Sequence, residues 1–153
     1  MQYTNHLLMI EPVNFGFNAE TAVNNTFQVN TNNNVQEKAL QEFNDFVSLL
    51  RNNKVDVTVI PDTADPFTPD SIFPNNWISF HEDGTVFLYP MFADNRRKEK
   101  KQHIIDELKE KFFVLQINDL SDYEQKDLFL EGTGSMVLDR DNKIAYACLS
   151  PRT

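Results

Sequence analysis

The sequence predicts an α/β fold in which strands, hairpins and amphipathic helices recur in a fixed order, and three observations carry that expectation. The apolar run Leu7-Leu8-Met9-Ile10, ended by Glu11-Pro12, reads as a buried strand. Ala39, Leu40, Phe43, Phe46, Val47 and Leu50 then recur at helical spacing. Val55, Val57 and Val59 alternate with polar residues up to Pro61, the pattern of a half-buried strand.

Between the first strand and the first helix, residues 14–34 are rich in Asn and Thr and hold Gly16, with Phe15, Phe17 and Phe27 among them. They read as a long loop, either ordered for function or a surface excursion. Asn34 and Glu37 form a capping-box pattern that starts the helix, which runs to about Asn53. A second cycle follows. Trp77 to His81 and Thr85 to Tyr89 flank Glu82-Asp83-Gly84, a hairpin signal because Asp-Gly suits positive φ, and Pro90 closes it. Asn95 is placed to cap a helix over 95–111 whose apolar face carries Ile104, Ile105, Leu108 and Phe112, leading to a strand at Phe113 to Ile117. Ser121 and Glu124 repeat the capping box for one short turn. The apolar strand Leu128-Phe129-Leu130 opens a third cycle. A hairpin comes next, Ser135 to Asp139 and Lys143 to Leu149, turning at Arg140-Asp141-Asn142. Each hairpin follows a polar loop, which suggests an array of like modules. Ser150-Pro151-Arg152-Thr153 reads as a helix entry with no helix after it, so the array is expected to stop mid-module.

Composition narrows the function classes. With 153 residues, 41% hydrophobic and 24% charged, the chain reads as one soluble domain. Its 14 basic against 23 acidic residues leave a net charge of −9, which argues against nucleic acid or an anionic membrane as partner. No apolar run approaches the roughly 18 residues of a membrane span, and no basic segment precedes residues 7–10 as in a signal peptide. The single Cys148 excludes an internal disulfide, and a reducing cytoplasm is expected. Cys148 sits in the apolar strand Ala145-Tyr146-Ala147-Cys148-Leu149 and reads as a small core residue. His6, His81 and His103 show no metal-ligand spacing, and neither a P-loop nor a dinucleotide fingerprint is present, so no metal and no cofactor is expected.

Three segments hold groups suited to chemistry. Pro69-Asp70-Ser71-Ile72-Phe73-Pro74-Asn75-Asn76-Trp77 sets a carboxylate and two amides on a loop before a strand, as a binding loop or as a polar turn. Leu130-Glu131-Gly132-Thr133-Gly134-Ser135 spends two of the chain's four glycines beside an acid. Glycine lets backbone approach a ligand, and Glu131 there is able to orient a histidine; the other reading is a bulge beside an exposed Glu. In Asn95-Arg96-Arg97-Lys98-Glu99-Lys100-Lys101, cations sit in the first turns of a helix and oppose its dipole. Arg96 and Arg97 are therefore candidates for binding an anion, against the alternative of a solvated charged face.

Taken together these segments resemble the pentein superfamily of guanidino-group-modifying enzymes: arginine deiminases, dimethylarginine dimethylaminohydrolases, agmatine deiminases and amidinotransferases. The nearest likeness is to the amidinotransferase-related, citrulline-utilisation type of hydrolase. The resemblance runs through Met9-Ile10-Glu11-Pro12, Phe15-Gly16-Phe17-Asn18, Asn24-Asn25-Thr26-Phe27-Gln28, Pro69 to Trp77, Tyr89-Pro90-Met91, Asn95-Arg96-Arg97, Leu130 to Ser135, Asp139-Arg140 and Leu149 to Thr153. It implies an α/β propeller of ββαβ modules, of which this chain supplies roughly two and a half from the N-terminal side. It also implies a Cys nucleophile, a His acid/base and acids that hold substrate and histidine. By that likeness Asp70 binds substrate, Glu131 pairs with the catalytic His, and Arg96 or Arg97 together with Arg152 grip a substrate carboxylate.

Asn75 and Asn76 stand where the deiminases carry Asp for the guanidinium. An amide offers a donor and an acceptor, which suits a neutral ureido group such as that of citrulline better than the cation of arginine. The family's His and Cys motifs are absent, so the chain is expected to be inactive alone, and to self-associate or to need a missing C-terminal half. The expected partner is a small amino-acid-like substrate. The rival reading is a non-catalytic half-propeller that acts as a binding or interaction module.

Overall fold

The computed structural model describes residues 3–23 and 34–153, so Phe27 and the segment Asn24-Asn25-Thr26-Phe27-Gln28 lie outside the described residues. The chain divides into two compact units, one of Asn5–Phe73 and one of Pro74–Thr153 together with the N-terminal residues up to Thr4.

In the first unit, β1 (His6–Glu11) and β2 (Asp56–Pro61) pair in parallel, with Leu7 opposite Val57 and Ile10 opposite Ile60. Parallel strands need a long crossover, and α2 (Val35–Asn52) supplies it. Its apolar stripe buries Phe43 and Val47 on Val57, with Met9, Leu50, Val55 and Val59 around them. Each such side chain contributes about 1.5–3 kcal/mol by leaving water. Phe46, on the same helical repeat, faces outward. The capping box at Asn34 does not form: Asn34 adopts a left-handed conformation, φ 49°, and makes no side-chain cap bond. Gln36 anchors the helix start instead, donating to the Pro12 carbonyl at 2.8 Å and accepting from the Phe15 amide. The loop before it contains a short helix, α1 (Ala19–Ala22), capped by Asn18.

The second unit opens with a 3-10 turn, Pro74–Asn76, then β3 (Ile78–Phe80) and β4 (Thr85–Leu88) as an antiparallel hairpin with Ile78 opposite Leu88. Gly84 takes φ +79° at the turn, which the Asp-Gly pair predicts. β5 (Gln116–Asp119) joins β4 in parallel, and α4 (Gln102–Lys111) is the crossover that buries Ile104, Ile105 and Leu108. A second antiparallel hairpin, β6 (Met136–Asp139) and β7 (Ile144–Ala147), follows the four-residue helix α5 (Gly132–Ser135). Among the described residues the strands thus form sheets of two, three and two strands, a mixed α/β fold.

Several expectations need correction. The helix over 95–111 is interrupted: α3 (Asp94–Arg97) ends, and α4 starts after Lys101 turns extended at ψ 141°. Asn95 lies inside α3 rather than capping it. The break serves side chains that reach away from the helix: Lys100 Nζ bonds the Tyr89 carbonyl, Ser121 Oγ and Glu124 Oε1, the last two at 2.6 Å. Ser121 and Glu124 are thereby taken up as Lys100's partners, so their capping box does not form. Phe113 and Leu115 are exposed and β5 starts three residues later than expected, at Gln116. Leu128-Phe129-Leu130 forms no strand. Cys148, expected in the core, is exposed just beyond β7, because every residue of β7 is itself exposed. No helix among the described residues is long and apolar enough to cross a membrane.

Candidate functional site

In the first unit the site residue is Asp70, almost fully buried. Its Oδ2 accepts from Asn18 Nδ2 at 2.7 Å and from Thr21 Oγ1 at 3.1 Å. Asn18 is held in turn, since its Oδ1 accepts from the Glu20 amide as the cap of α1. The short helix in the loop is what aims two donors at a buried carboxylate, and a buried charge needs such partners. Asn18 was legible as a cap, being a short polar residue before Ala19-Glu20-Thr21. Its grip on a residue 52 positions away was not.

The second unit brings Asn75, Asn76, Arg96, Glu131 and Arg152 together, with Arg97 nearby. α5 lies directly against the Pro74–Asn76 turn, and glycine makes that approach feasible. A Cβ on Gly132, whose φ is +23°, would overlap the Asn75 carbonyl oxygen; one on Gly134 would overlap Asn76 Nδ2. Thr133 between them clips the two turns: its Oγ1 accepts from Asn75 Nδ2 at 2.9 Å and donates to the Asn75 carbonyl at 3.2 Å. Asn75 spends its amide on this clip and is exposed.

Asn76 is differently placed. Its Oδ1 accepts from Arg96 Nη1 at 2.6 Å, and Arg96 is fixed by two parallel bonds to Glu99, Nε to Oε1 at 2.9 Å and Nη2 to Oε2 at 3.0 Å. Arg96 is only 3% exposed and Glu99 1%. Arg97 donates to the carbonyls of Met91 and Phe92, pairs with Asp94 at 2.8 Å and lies over the Phe129 ring. The two adjacent arginines are thus not equivalent: Arg96 is interior, and Arg97 is partly open.

Glu131 is 1% exposed. Its Oε1 accepts from the Phe92 amide, and its own amide donates to the Arg152 carbonyl. Arg152 Nη1 stands 3.2 Å from Oε2, off the hydrogen-bonding direction, so Oε2 accepts no hydrogen bond from any described residue. The neighbouring strands carry a polar chain the sequence did not reveal. Arg140 Nη1, which only donates, meets His81 Nδ1 at 3.2 Å. That leaves Nε2–H for Ser79 Oγ at 3.1 Å, and Ser79 contacts the Tyr89 hydroxyl at 2.8 Å. Burial, and then the Arg140 charge, lower the His81 pKa, with Asp83 opposing. Burial raises that of Tyr89 against the Ser79 bond. No group of three or more His, Cys, Asp or Glu suited to a metal occurs among the described residues.

Solved structures share this fold. ArgZ, an arginine dihydrolase from the ornithine-ammonia cycle in cyanobacteria, superimposes with a TM-score of 0.72 at 19% identity over 97% of this chain and 21% of its own. Unliganded AgrE gives 0.68 at 20% identity over 93% of this chain and 19% of its own. A Cys-to-Ser variant of the dimethylarginine dimethylaminohydrolase from Pseudomonas aeruginosa, complexed with citrulline, gives 0.66 at 20% identity over 97% and 51%. The chain therefore spans about half the length of that enzyme and about a fifth of the first two. No curated protein sequence matches significantly. Together with the family match over most of the chain, the shared fold places it in the pentein superfamily. More narrowly, the chain belongs to the family described as N,N dimethylarginine dimethylhydrolase, eukaryotic, whose profile matches residues 11–153.

Proposed function

We propose that the chain carries the first half of a Cys-dependent site that acts on the guanidino or ureido carbon of a small amino acid such as citrulline or arginine. The observation that carries the reading is Glu131, a buried carboxylate whose Oε2 accepts no hydrogen bond from any described residue. A carboxylate so placed suits the N–H of a histidine that moves protons at the scissile C–N bond. Asp70 would hold the substrate's cationic or N–H face, Asn76 its ureido oxygen, and Arg97 with Arg152 its carboxylate. Asn75 would shape the loop through its bond to Thr133.

His81 is turned to Ser79 and Arg140, and Cys148 is exposed, so neither suits the roles of acid/base and nucleophile beside Glu131. Those groups would come from sequence outside residues 1–153, with the modules completing a propeller in the cytoplasm. Hydrolysis is preferred to amidino transfer because the family and the solved relatives are named as hydrolases. The rival, an interaction module, is favoured by one feature: β6 and β7 expose Val137 (67%), Tyr146 (60%) and Ile144 (44%), an apolar face suited to a second copy or a missing half.

Calorimetric titration with citrulline, arginine and dimethylarginine tests the first reading. Binding that Glu131→Gln preserves and Asp70→Ala abolishes is expected in any form that contains the completed site. Absence of binding there by all three refutes it. Light scattering tests the second, which a monomer refutes.

A further inference from the structure

We propose that Glu99 is a positioning residue that acts through Arg96 to fix the polarity of the Asn76 amide, its oxygen inward and its NH2 outward toward bound ligand. The proposal rests on the reading above that Asn76 touches substrate. Four observations carry it. Glu99 and Arg96 are among the most deeply buried polar side chains, at 1% and 3% exposure, and they face each other in a bidentate pair with 2.9 and 3.0 Å bonds. That pair sets the plane of the guanidinium and aims Nη1 at Asn76 Oδ1, 2.6 Å away. A guanidinium has donors and no acceptor, so an amide beside it must present its oxygen. The Asn76 NH2 then falls on the far side, over Gly134, where a Cβ would overlap Nδ2, and it donates to no described residue.

The chemistry that follows is specific. An asparagine free to flip would accept from a guanidinium or donate to a carbonyl with equal ease. With its oxygen committed to Arg96, Asn76 is a donor-only contact. It favours a ligand that offers an oxygen acceptor, as a ureido, amide or carboxylate group does, over the donor-only edge of a guanidinium. Arg96 is almost fully buried and bonded to both Glu99 and Asn76, so this arginine orients an amide and does not reach a substrate anion. The carboxylate-binding work falls to Arg97 and Arg152, whose side chains are 30% and 27% exposed.

The test reads the two side chains directly by NMR on the 15N-labelled chain. The Asn76 NH2 pair is assigned by its loss in Asn76→Ser, and the Arg96 Nε–H by its loss in Arg96→Lys. In Glu99→Gln with the backbone spectrum intact, the Arg96 Nε–H should exchange about tenfold faster or more, as expected for loss of charge-assisted bonds. The Asn76 NH2 pair should shift with it. A merely structural role for Glu99 would lower the unfolding midpoint and leave the Asn76 pair where it was; that outcome overturns the proposal. Should Glu99→Gln not fold, the unsubstituted chain decides. Nuclear Overhauser contacts from the Asn76 NH2 to the Gly134 α-protons are expected, and contacts to the Arg96 Nη protons instead would refute the polarity. Titration with citrulline and with arginine, carried out on a form that contains the completed site, separates the two levels. An Asn76 pair that responds to Glu99→Gln but to neither ligand leaves the positioning device standing and removes the substrate reading.

Discussion

Replacing Gly134 by Ala probes the closest approach in the site. The new Cβ would overlap Asn76 Nδ2 and lie 3.0 Å from its Cγ, so the amide must move. It is not free to move, because its oxygen is bound to Arg96 at 2.6 Å and Arg96 is bound to Glu99. Losing that bond to a charged donor costs about 1.5–3 kcal/mol. Gly134 has no positive φ, so Ala also restricts the unfolded chain and returns about 0.4–1 kcal/mol. The net expectation is a destabilisation of about 0.5–2.5 kcal/mol. In an Asn76→Ala background the clash has no partner, and the same substitution should stabilise by about 0.4–1 kcal/mol. The sign reverses. Urea unfolding of the four proteins at constant m-value measures it, with a coupling of about 1.5–3 kcal/mol expected. Additivity within about 0.5 kcal/mol would refute the claim that the glycine exists to admit the Asn76 amide.

Other outcomes are as definite. Thr21→Val keeps the shape of α1 but removes a donor to the buried Asp70 carboxylate; a loss of about 1.5–3 kcal/mol in urea is expected, and no change would show that the carboxylate does not depend on Thr21. His81 has a lowered pKa in the fold, so the unfolded chain takes up a proton first as pH falls through about 6.5. Stability should be full above that pH and decline below it, and His81→Gln should flatten that part of the profile; an equal slope in the variant refutes the assignment. Cys148 should react with a thiol reagent under native conditions at the rate of an unfolded control within about tenfold, whereas protection like that of a core residue would show that its strand is covered.

Elements with strong local periodicity were legible in the sequence. The α2 stripe through Phe43 and Val47 specified a helix, and Asp83-Gly84 specified a turn, because each pattern is satisfied within a few residues. The caps failed as predictors where a distant partner competed. Ser121 and Glu124 carry a capping box, yet Lys100 claims both, and a short bond to a buried cation outweighs a cap worth about 1 kcal/mol. The break before α4 has the same origin. In the site, the residue types were readable and their division of labour was not. Arg96 and Arg97 are neighbours in sequence, but a helix turns successive side chains apart, so one went inward to Glu99 and the other to the Met91 and Phe92 carbonyls.

The clip between Asn75 and Thr133 joins residues 58 positions apart. A contact of that span cannot form until the intervening hairpin, crossover helix and parallel strand have shortened the loop it must close. The site is therefore a late product of folding, made by the fold and not a seed for it. Damage to it, as in Thr133→Val, should hasten the rate at which the chain opens and leave the rate at which it closes nearly unchanged. Two glycines and a threonine would then act on how long the assembled site survives, more than on whether the chain finds it.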